Sequence, residues 1–313
     1  MRRFHHDDFA DTAALLRAKG GERISVCIPT LDEADTIGAI VGTIRRELMD
    51  DVPLVDELLV IDSGSSDGTR EVAAAAGATV LLSSDIAPEH GSIRGKGENL
   101  WKALHAASGG ILCYLDGDIA NFHAGFVRGL VGPLLTEPDI SYVKGSYERP
   151  SADGDGRTTH GGGRISEILV RPLISLFLPD LAPVLQPLSG EYAARRELLE
   201  SLAFPTGYGV EIAHLIDLAR DDRLDAVAQT DLVRRVHHHR DDGELGDAAF
   251  AILPSCCVGS HATASSRHII RCRPCTAAGG STAMVRWKPC ARSRSPSDRR
   301  SPGCAAAEPK SPA

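Results

Sequence analysis

A short β-rich run that halts at a turn and gives way to helical spacing recurs along the first 120 residues, and it constrains the fold more than any other feature. Ile24-Ser25-Val26-Cys27-Ile28 stops at Pro29, after which Ile37, Ile40, Val41, Ile44 and Leu48 recur at helical intervals. Glu57-Leu58-Leu59-Val60-Ile61 runs into Asp62-Ser63-Gly64-Ser65-Ser66-Asp67-Gly68 and then an alanine-rich helix that Gly77 can cap. Thr79 to Leu82 reads as a third strand, Gly97 to Ala107 as a helix, and Gly110 to Leu115 as a central strand ending in Asp116-Gly117-Asp118. Strands alternating with helices predict an α/β fold, a mostly parallel sheet flanked by helices, with ligands at the carboxyl ends of the strands.

Past the polar stretch Ser151-Ala152-Asp153-Gly154-Asp155-Gly156, helical patterns cover Ile165 to Phe177, Arg195 to Leu202 and Val210 to Ala219. A strand-like segment from Ala226 to Val236 follows and ends in His237-His238-His239. No apolar stretch approaches the roughly 20 residues that cross a bilayer, and the acidic N-terminus lacks the apolar segment of a secretory signal. A cytoplasmic protein without a membrane span is expected.

The net charge of -8 over 313 residues averages two different materials. From Ser255 to Ala313, ten Lys/Arg against two Asp/Glu give +8, which leaves 24 basic and 40 acidic residues and -16 for the rest. Six of the eight cysteines also fall in this tail, leaving Cys27 and Cys113 in the body and no disulfide framework there. Cys272-Arg273-Pro274-Cys275 has no matching second cysteine pair, because Cys256 and Cys257 are adjacent, and His261 and His268 leave only a mixed zinc site open. Trp287 is the tail's lone aromatic, so its basic charge does not indicate nucleic-acid binding. The mix of Arg, Ser, Pro, Ala and Cys is what a GC-rich coding sequence yields in the wrong frame. The expectation is a frameshift between roughly Phe250 and Ser255, a body over residues 1–253 and a disordered segment over 254–313.

Asp116 and Asp118, one residue apart at a strand end, offer hard oxygen ligands of the kind that hold Mg²⁺ or Mn²⁺ against a diphosphate. Pro29-Thr30-Leu31-Asp32-Glu33, Asp62-Ser63-Gly64-Ser65 and Arg94-Gly95-Lys96-Gly97 belong to the same predicted edge. This set resembles the nucleotide-sugar transferases of the GT-A fold, with a proline-bearing turn and an acidic residue, then Asp-x-Gly-Ser, then Asp-x-Asp. Within that group, four further segments are similar to the glucosyl-3-phosphoglycerate synthases: Gly161-Gly162-Gly163-Arg164, Leu185 to Tyr192, Gly207-Tyr208-Gly209-Val210-Glu211 and His237. The resemblance covers about residues 4 to 253. It divides the body into a nucleotide-sugar half, about 22–120, and an acceptor half, 121–253.

The resemblance implies metal-dependent, retaining transfer of glucose from UDP-glucose to 3-phosphoglycerate, by a homodimer. It places Pro29, Leu31, Glu33 and Ser63 around the uracil and ribose, Lys96 near the base and Asp116 near the nucleoside. Asp118 and His237 would hold Mg²⁺ or Mn²⁺. The backbone at Leu188 and the stretch Tyr208, Gly209 and Glu211 would hold the glucose, with Asp118 and Glu211 as the catalytic carboxylates and Glu211 cast as a positioning group. Gly163, Arg164 and Ser166 would grip the phosphoglycerate, and His239 stands where the family commonly shows an acceptor-contacting Asn. Asp32 likewise stands where Asn is frequent. GDP-mannose as donor, and a catalytically inactive nucleotide-sugar-binding protein, are the alternatives. Transfer to a polyprenyl phosphate is disfavoured by the missing membrane segment and by the Gly-Arg-x-Ser segment. An acidic body that binds two anions must concentrate positive charge, expected at Lys96, Arg164 and the metal.

Overall fold

Alternating apolar residues along the strands feed two different cores. In a computed structural model, which describes residues 1–148, 151–152, 158–159, 163–236 and 242–257, strand β1 is Arg2–His5 and β2 is Ile24–Thr30, with helix α1 (Thr12–Lys19) between them. Helix α2 (Ala34–Arg45), β3 (Glu57–Asp62), α3 (Thr69–Ala75), β4 (Thr79–Leu82), α4 (Lys96–Ala106) and β5 (Ile111–Tyr114) follow. Ile24, Val26, Ile28, Leu58, Val60, Ile111 and Cys113 join the core under α2 and α5 (Gly125–Thr136). Their neighbours Cys27, Leu59, Ile61, Leu112 and Tyr114 point the other way, onto α4. This period of two is the geometry of a strand covered on both faces.

The second half adds β6 (Tyr142–Glu148), a small hairpin of β7 (Ser151–Ala152) and β8 (Thr158–Thr159), and α6 (Arg171–Phe177), which a π-type turn precedes. Then come β9 (Tyr192–Arg195), α7 (Arg196–Ser201), α8 (Val210–Arg220), β10 (Val227–Arg234) and α9 (Asp242–Cys257). The main sheet has the order β1-β10-β6-β9-β5-β2-β3-β4. All its pairings are parallel except those of β9, which runs antiparallel between β5 and β6. From β2 the chain moves outward to β3 and β4, then returns to place β5 on the other side of β2. This reversal opens a crevice at the carboxyl ends of β2 and β5, the usual ligand position in such sheets. Because β9 is antiparallel, the segment entering it arrives at that same edge, as does the segment leaving β10.

The structure refines several sequence expectations. The strand expected to reach Val236 ends at Arg234, which leaves Arg235 in the loop beyond it. β1 pairs with β10, so the first residues join the far edge of the sheet, outside the two-half division. Helix α9 runs four residues past the expected limit at 253, and Ile252 is buried against Ile212 and Ile216 of α8. The expectations for Gly161, Gly162, His237, His239 and the tail beyond residue 257 lie outside the described residues.

Candidate active site

The turns after β2 and β3 are built from each other's hydrogen bonds. The Asp62 carboxylate accepts from the backbone N–H groups of Gly64 and Ser65 and from the hydroxyls of Thr30 and Ser65. Asp32 N–H donates to the Ser65 hydroxyl, Glu33 N–H to the Thr69 hydroxyl, and Ser66 N–H to the Asp32 carboxylate. Asp32 has φ of 58°. Asn and Asp are the side-chain-bearing residues that best tolerate this left-handed conformation, so Asp suits a position where the family frequently shows Asn. The interlock presents Pro29, Leu31, Glu33 and Ser63 to a cleft of about 650 Å³.

Asp116-Gly117-Asp118 forms the floor of that cleft. A Cβ on Gly117 would sit 3.1 Å from Thr30 and 3.3 Å from Glu33, while the Thr36 hydroxyl donates to the Gly117 carbonyl at 2.6 Å. The acidic turn is thereby fastened to the first turn of α2. Lys96, the first residue of α4, reaches Asp116 Oδ1 at 2.6 Å and Glu211 Oε1 at 2.7 Å. Burial works against its charge, but the two carboxylates outweigh that cost and push its pKa above the ordinary lysine range. Glu211 is 2% exposed in the first turn of α8, where the helix dipole favours an anion. Glu211 is therefore not an exposed position on an amphipathic helix.

Close backbone contact brings α4 and α8 together. Gly97 and Glu98 donate their N–H groups to the carbonyls of Gly207 and Thr206, and a Cβ on Gly97 would lie 1.7 Å from the Pro205 oxygen. Lys96 and Tyr208 are thus held on the same wall. Gly209, expected to touch the sugar, instead caps α8 and packs against Ser255 of α9, and it does not line the cleft.

Arg235 was not anticipated. It is 3% exposed and spans the acidic floor: Nη2 contacts Asp118 Oδ1 and lies 3.0 Å from Asp116 Oδ2, while Nη1 lies 3.2 Å from Glu191 Oε1 and donates to the Tyr147 hydroxyl at 3.0 Å. Tyr147 in turn donates to Glu191 at 2.6 Å. Burial opposes the guanidinium charge, but Glu191, Tyr147 and the two aspartates hold its pKa well above the usual arginine value. Burial pushes the Glu191 carboxyl up, and Arg235 opposes that shift. The signal in the sequence was the doubled Arg234-Arg235 just before the histidines, legible only once β10 is known to end at this edge.

Behind this floor, Lys144 is fully buried and donates to the Ser189 carbonyl at 2.6 Å. Burial lowers its pKa to about 8. The Ser189 hydroxyl donates to the Gly145 carbonyl, and Gly190 lies so close to Asp116 that a Cβ there would be 2.2 Å from Oδ1. The segment carrying Leu188 is pinned to β6 from below and braces Asp116 from the side. His214 is buried among Tyr142, Tyr192 and Phe204, and burial lowers its pKa to about 3, so it is neutral.

Of the expected site residues, Pro29, Leu31, Glu33, Ser63, Lys96, Asp116, Asp118, Gly163, Arg164, Ser166, Leu188, Tyr208 and Glu211 all line the one cleft. Leu245, Ala248, Ala251 and Ile252 of α9 complete it with an apolar wall that the sequence reading did not assign. Asp116, Asp118, Glu191 and Glu211 converge on Lys96 and Arg235. The oxygen donors of Asp116 and Asp118, which line the cleft, fit a hard divalent cation.

A GT-A fold with an acidic pair at its switch point and a cleft lined from both halves defines a glycosyltransferase. The residues from 25 to 203 match the model of glycosyl transferase family 2. The chain belongs to that family and, within it, to the glucosyl-3-phosphoglycerate synthases. The synthase of Petrotoga mobilis is 49% identical over 253 residues, covering 80% of this chain and 78% of its own. That of Mycobacterium tuberculosis is 49% identical over 232 residues, covering 73% and 71%. A crystal structure of the M. tuberculosis synthase in complex with Mn²⁺, UDP-glucose and phosphoglyceric acid superposes with a TM-score of 0.73 at 43% identity, over 82% of this chain and 87% of that one. Another, with Mg²⁺ and UDP, gives a TM-score of 0.73. Among the described residues, no helix is long and apolar enough to cross a membrane.

Proposed function

We propose that this chain transfers glucose from UDP-glucose to 3-phosphoglycerate with retention of the α configuration, in the presence of Mg²⁺ or Mn²⁺. The observation that carries the reading is the convergence, in one cleft, of the Asp116-Asp118 floor with the Gly163, Arg164 and Ser166 segment. The first suits a metal-bound diphosphate, and the second an acceptor with a phosphate and a carboxylate, to which an arginine fork is matched. The relatives crystallised with UDP-glucose and phosphoglyceric acid support both halves of this assignment.

In this reading Pro29, Leu31, Glu33 and Ser63 receive the uridine, Leu188 and Tyr208 flank the glucose, and Asp118, with His237 as the resemblance implies, would hold the metal. The metal would supply positive charge where the leaving diphosphate gains negative charge. Lys96 fixes Asp116 and Glu211 against each other, so the floor and the sugar wall move as one piece. A carboxylate gripped by an ammonium at 2.7 Å is a poor nucleophile, which gives Glu211 a positioning role. The free C2 hydroxyl of the acceptor then attacks the anomeric carbon on the face the diphosphate leaves. The hydroxyl proton passes to the departing phosphate oxygen, which takes the electron pair of the breaking anomeric C–O bond.

The test is product formation by the full chain with UDP-glucose, 3-phosphoglycerate and Mn²⁺, omitting one component at a time. Dependence on all three is expected. Equal turnover without phosphoglycerate, or faster turnover with GDP-mannose, contradicts the assignment.

A further inference from the structure

We propose that Arg235 is an internal counter-cation that competes with a divalent metal for Asp118 and thereby limits how tightly the nucleotide-free chain holds metal. The inference rests on the reading of Asp118 as a metal ligand and deepens it. Arg235 is no swinging surface side chain. Its backbone N–H donates to the Glu148 carbonyl at 3.0 Å, and Asn121 clamps the residues on either side, donating to the Arg234 carbonyl at 2.9 Å and accepting from Val236 N–H at 2.8 Å. One end of the guanidinium is anchored by Glu191 and Tyr147, and the other end rests on both aspartates of the acidic turn.

Two consequences follow from elementary electrostatics. Among the described residues, Arg235 is the cation that reaches Asp116, Asp118 and Glu191 together, so it holds the acidic floor together while metal is absent. A metal ion approaching Asp118 must share its carboxylate with Nη2, which already contacts Oδ1, and must sit beside a fixed positive charge. Arg235 therefore favours the metal-free state. Lys96 cannot play this part, because its contacts are to Asp116 Oδ1 and Glu211.

The test is direct Mn²⁺ binding, followed by the EPR signal of free Mn²⁺, to full-length wild type, Arg235→Met, Arg235→Gln and Arg235→Lys without nucleotide. Circular dichroism checks that each is folded. Arg235→Met and Arg235→Gln should bind Mn²⁺ at least about tenfold more tightly than wild type, roughly 1.4 kcal/mol. Arg235→Lys, which keeps the charge, should stay near wild type, and adding Asp118→Ala should abolish the gain. If Arg235→Met does not fold, Arg235→Gln decides, since its amide can still bond Glu191 and Tyr147. Equal or weaker Mn²⁺ binding by the folded neutral variant overturns the proposal. No Mn²⁺ binding by any form, including wild type with UDP, overturns the metal reading itself, and is a separate result.

Discussion

Replacing Lys96 by Met removes a cation that touches both Asp116 and Glu211, at 2.6 and 2.7 Å. Breaking a buried ion pair by deleting one partner costs about 3–5 kcal/mol. Lys96 and Asp116 keep 18% of their side-chain surface, and Asp116 retains Arg235, so the lower end applies, about 3 kcal/mol. Against a total stability of about 5–15 kcal/mol the variant should still fold, with Tm lower by roughly 6–12 °C. Neutralising the partner as well removes the stranded charge. Lys96→Met/Glu211→Gln should recover about 2 kcal/mol relative to the sum of the single variants. Urea unfolding followed by circular dichroism measures the cycle. The sign with pH is fixed: a raised lysine pKa contributes stability in full below the ordinary value, about 10.4, and loses it only as pH rises through the folded value. The wild-type advantage should therefore be flat from pH 6 to 9. A single variant within about 0.5 kcal/mol of wild type, or strict additivity of the two substitutions, refutes the argument that this lysine joins the two walls of the cleft.

Three further outcomes are expected. His214, with its pKa lowered to about 3 by burial and by Lys144, destabilises the fold as pH falls below the unfolded value near 6.5, by up to about 1.4 kcal/mol per pH unit. His214→Leu should flatten that acid limb in unfolding curves taken from pH 7 to 4, and an unchanged limb would show that other groups set it. Gly190→Ala places a Cβ 2.2 Å from Asp116 Oδ1, so isothermal titration with UDP and Mn²⁺ should show binding weakened by more than about tenfold, whereas wild-type affinity would show that the brace yields. Asp118→Ala should abolish transfer while circular dichroism shows the fold retained, and wild-type turnover would remove Asp118 from the metal site.

Where strand ends carried polar turns, the sequence was informative, because an apolar run that stops at Pro29, Asp62 or Asp116 states both the strand and the edge it serves. The residues around these ends are legible in the sequence as belonging to one cleft. Gly209 faces α9, and proximity along the chain to Tyr208 and Glu211 says nothing about which of three neighbours turns toward the cleft. At that position α9 needs the space a Cβ would fill. Arg235 was illegible for a different reason. Its partners Asp116, Asp118, Glu191 and Tyr147 are scattered over three segments, and only the sheet order, with β9 inserted antiparallel, brings the ends of β5, β6 and β10 together. The apolar wall from α9 was missed because that helix straddles the change in composition near residue 253 and has little periodic contrast of its own.

The most direct measurement is the NMR spectrum of the product formed by the full chain from UDP-glucose and 3-phosphoglycerate with Mn²⁺. An α-linked glucosyl group on the C2 oxygen of phosphoglycerate, formed from the first turnover onward, is the predicted result. A β-linked product, free glucose alone, or no transfer from UDP-glucose while GDP-mannose is consumed would contradict it.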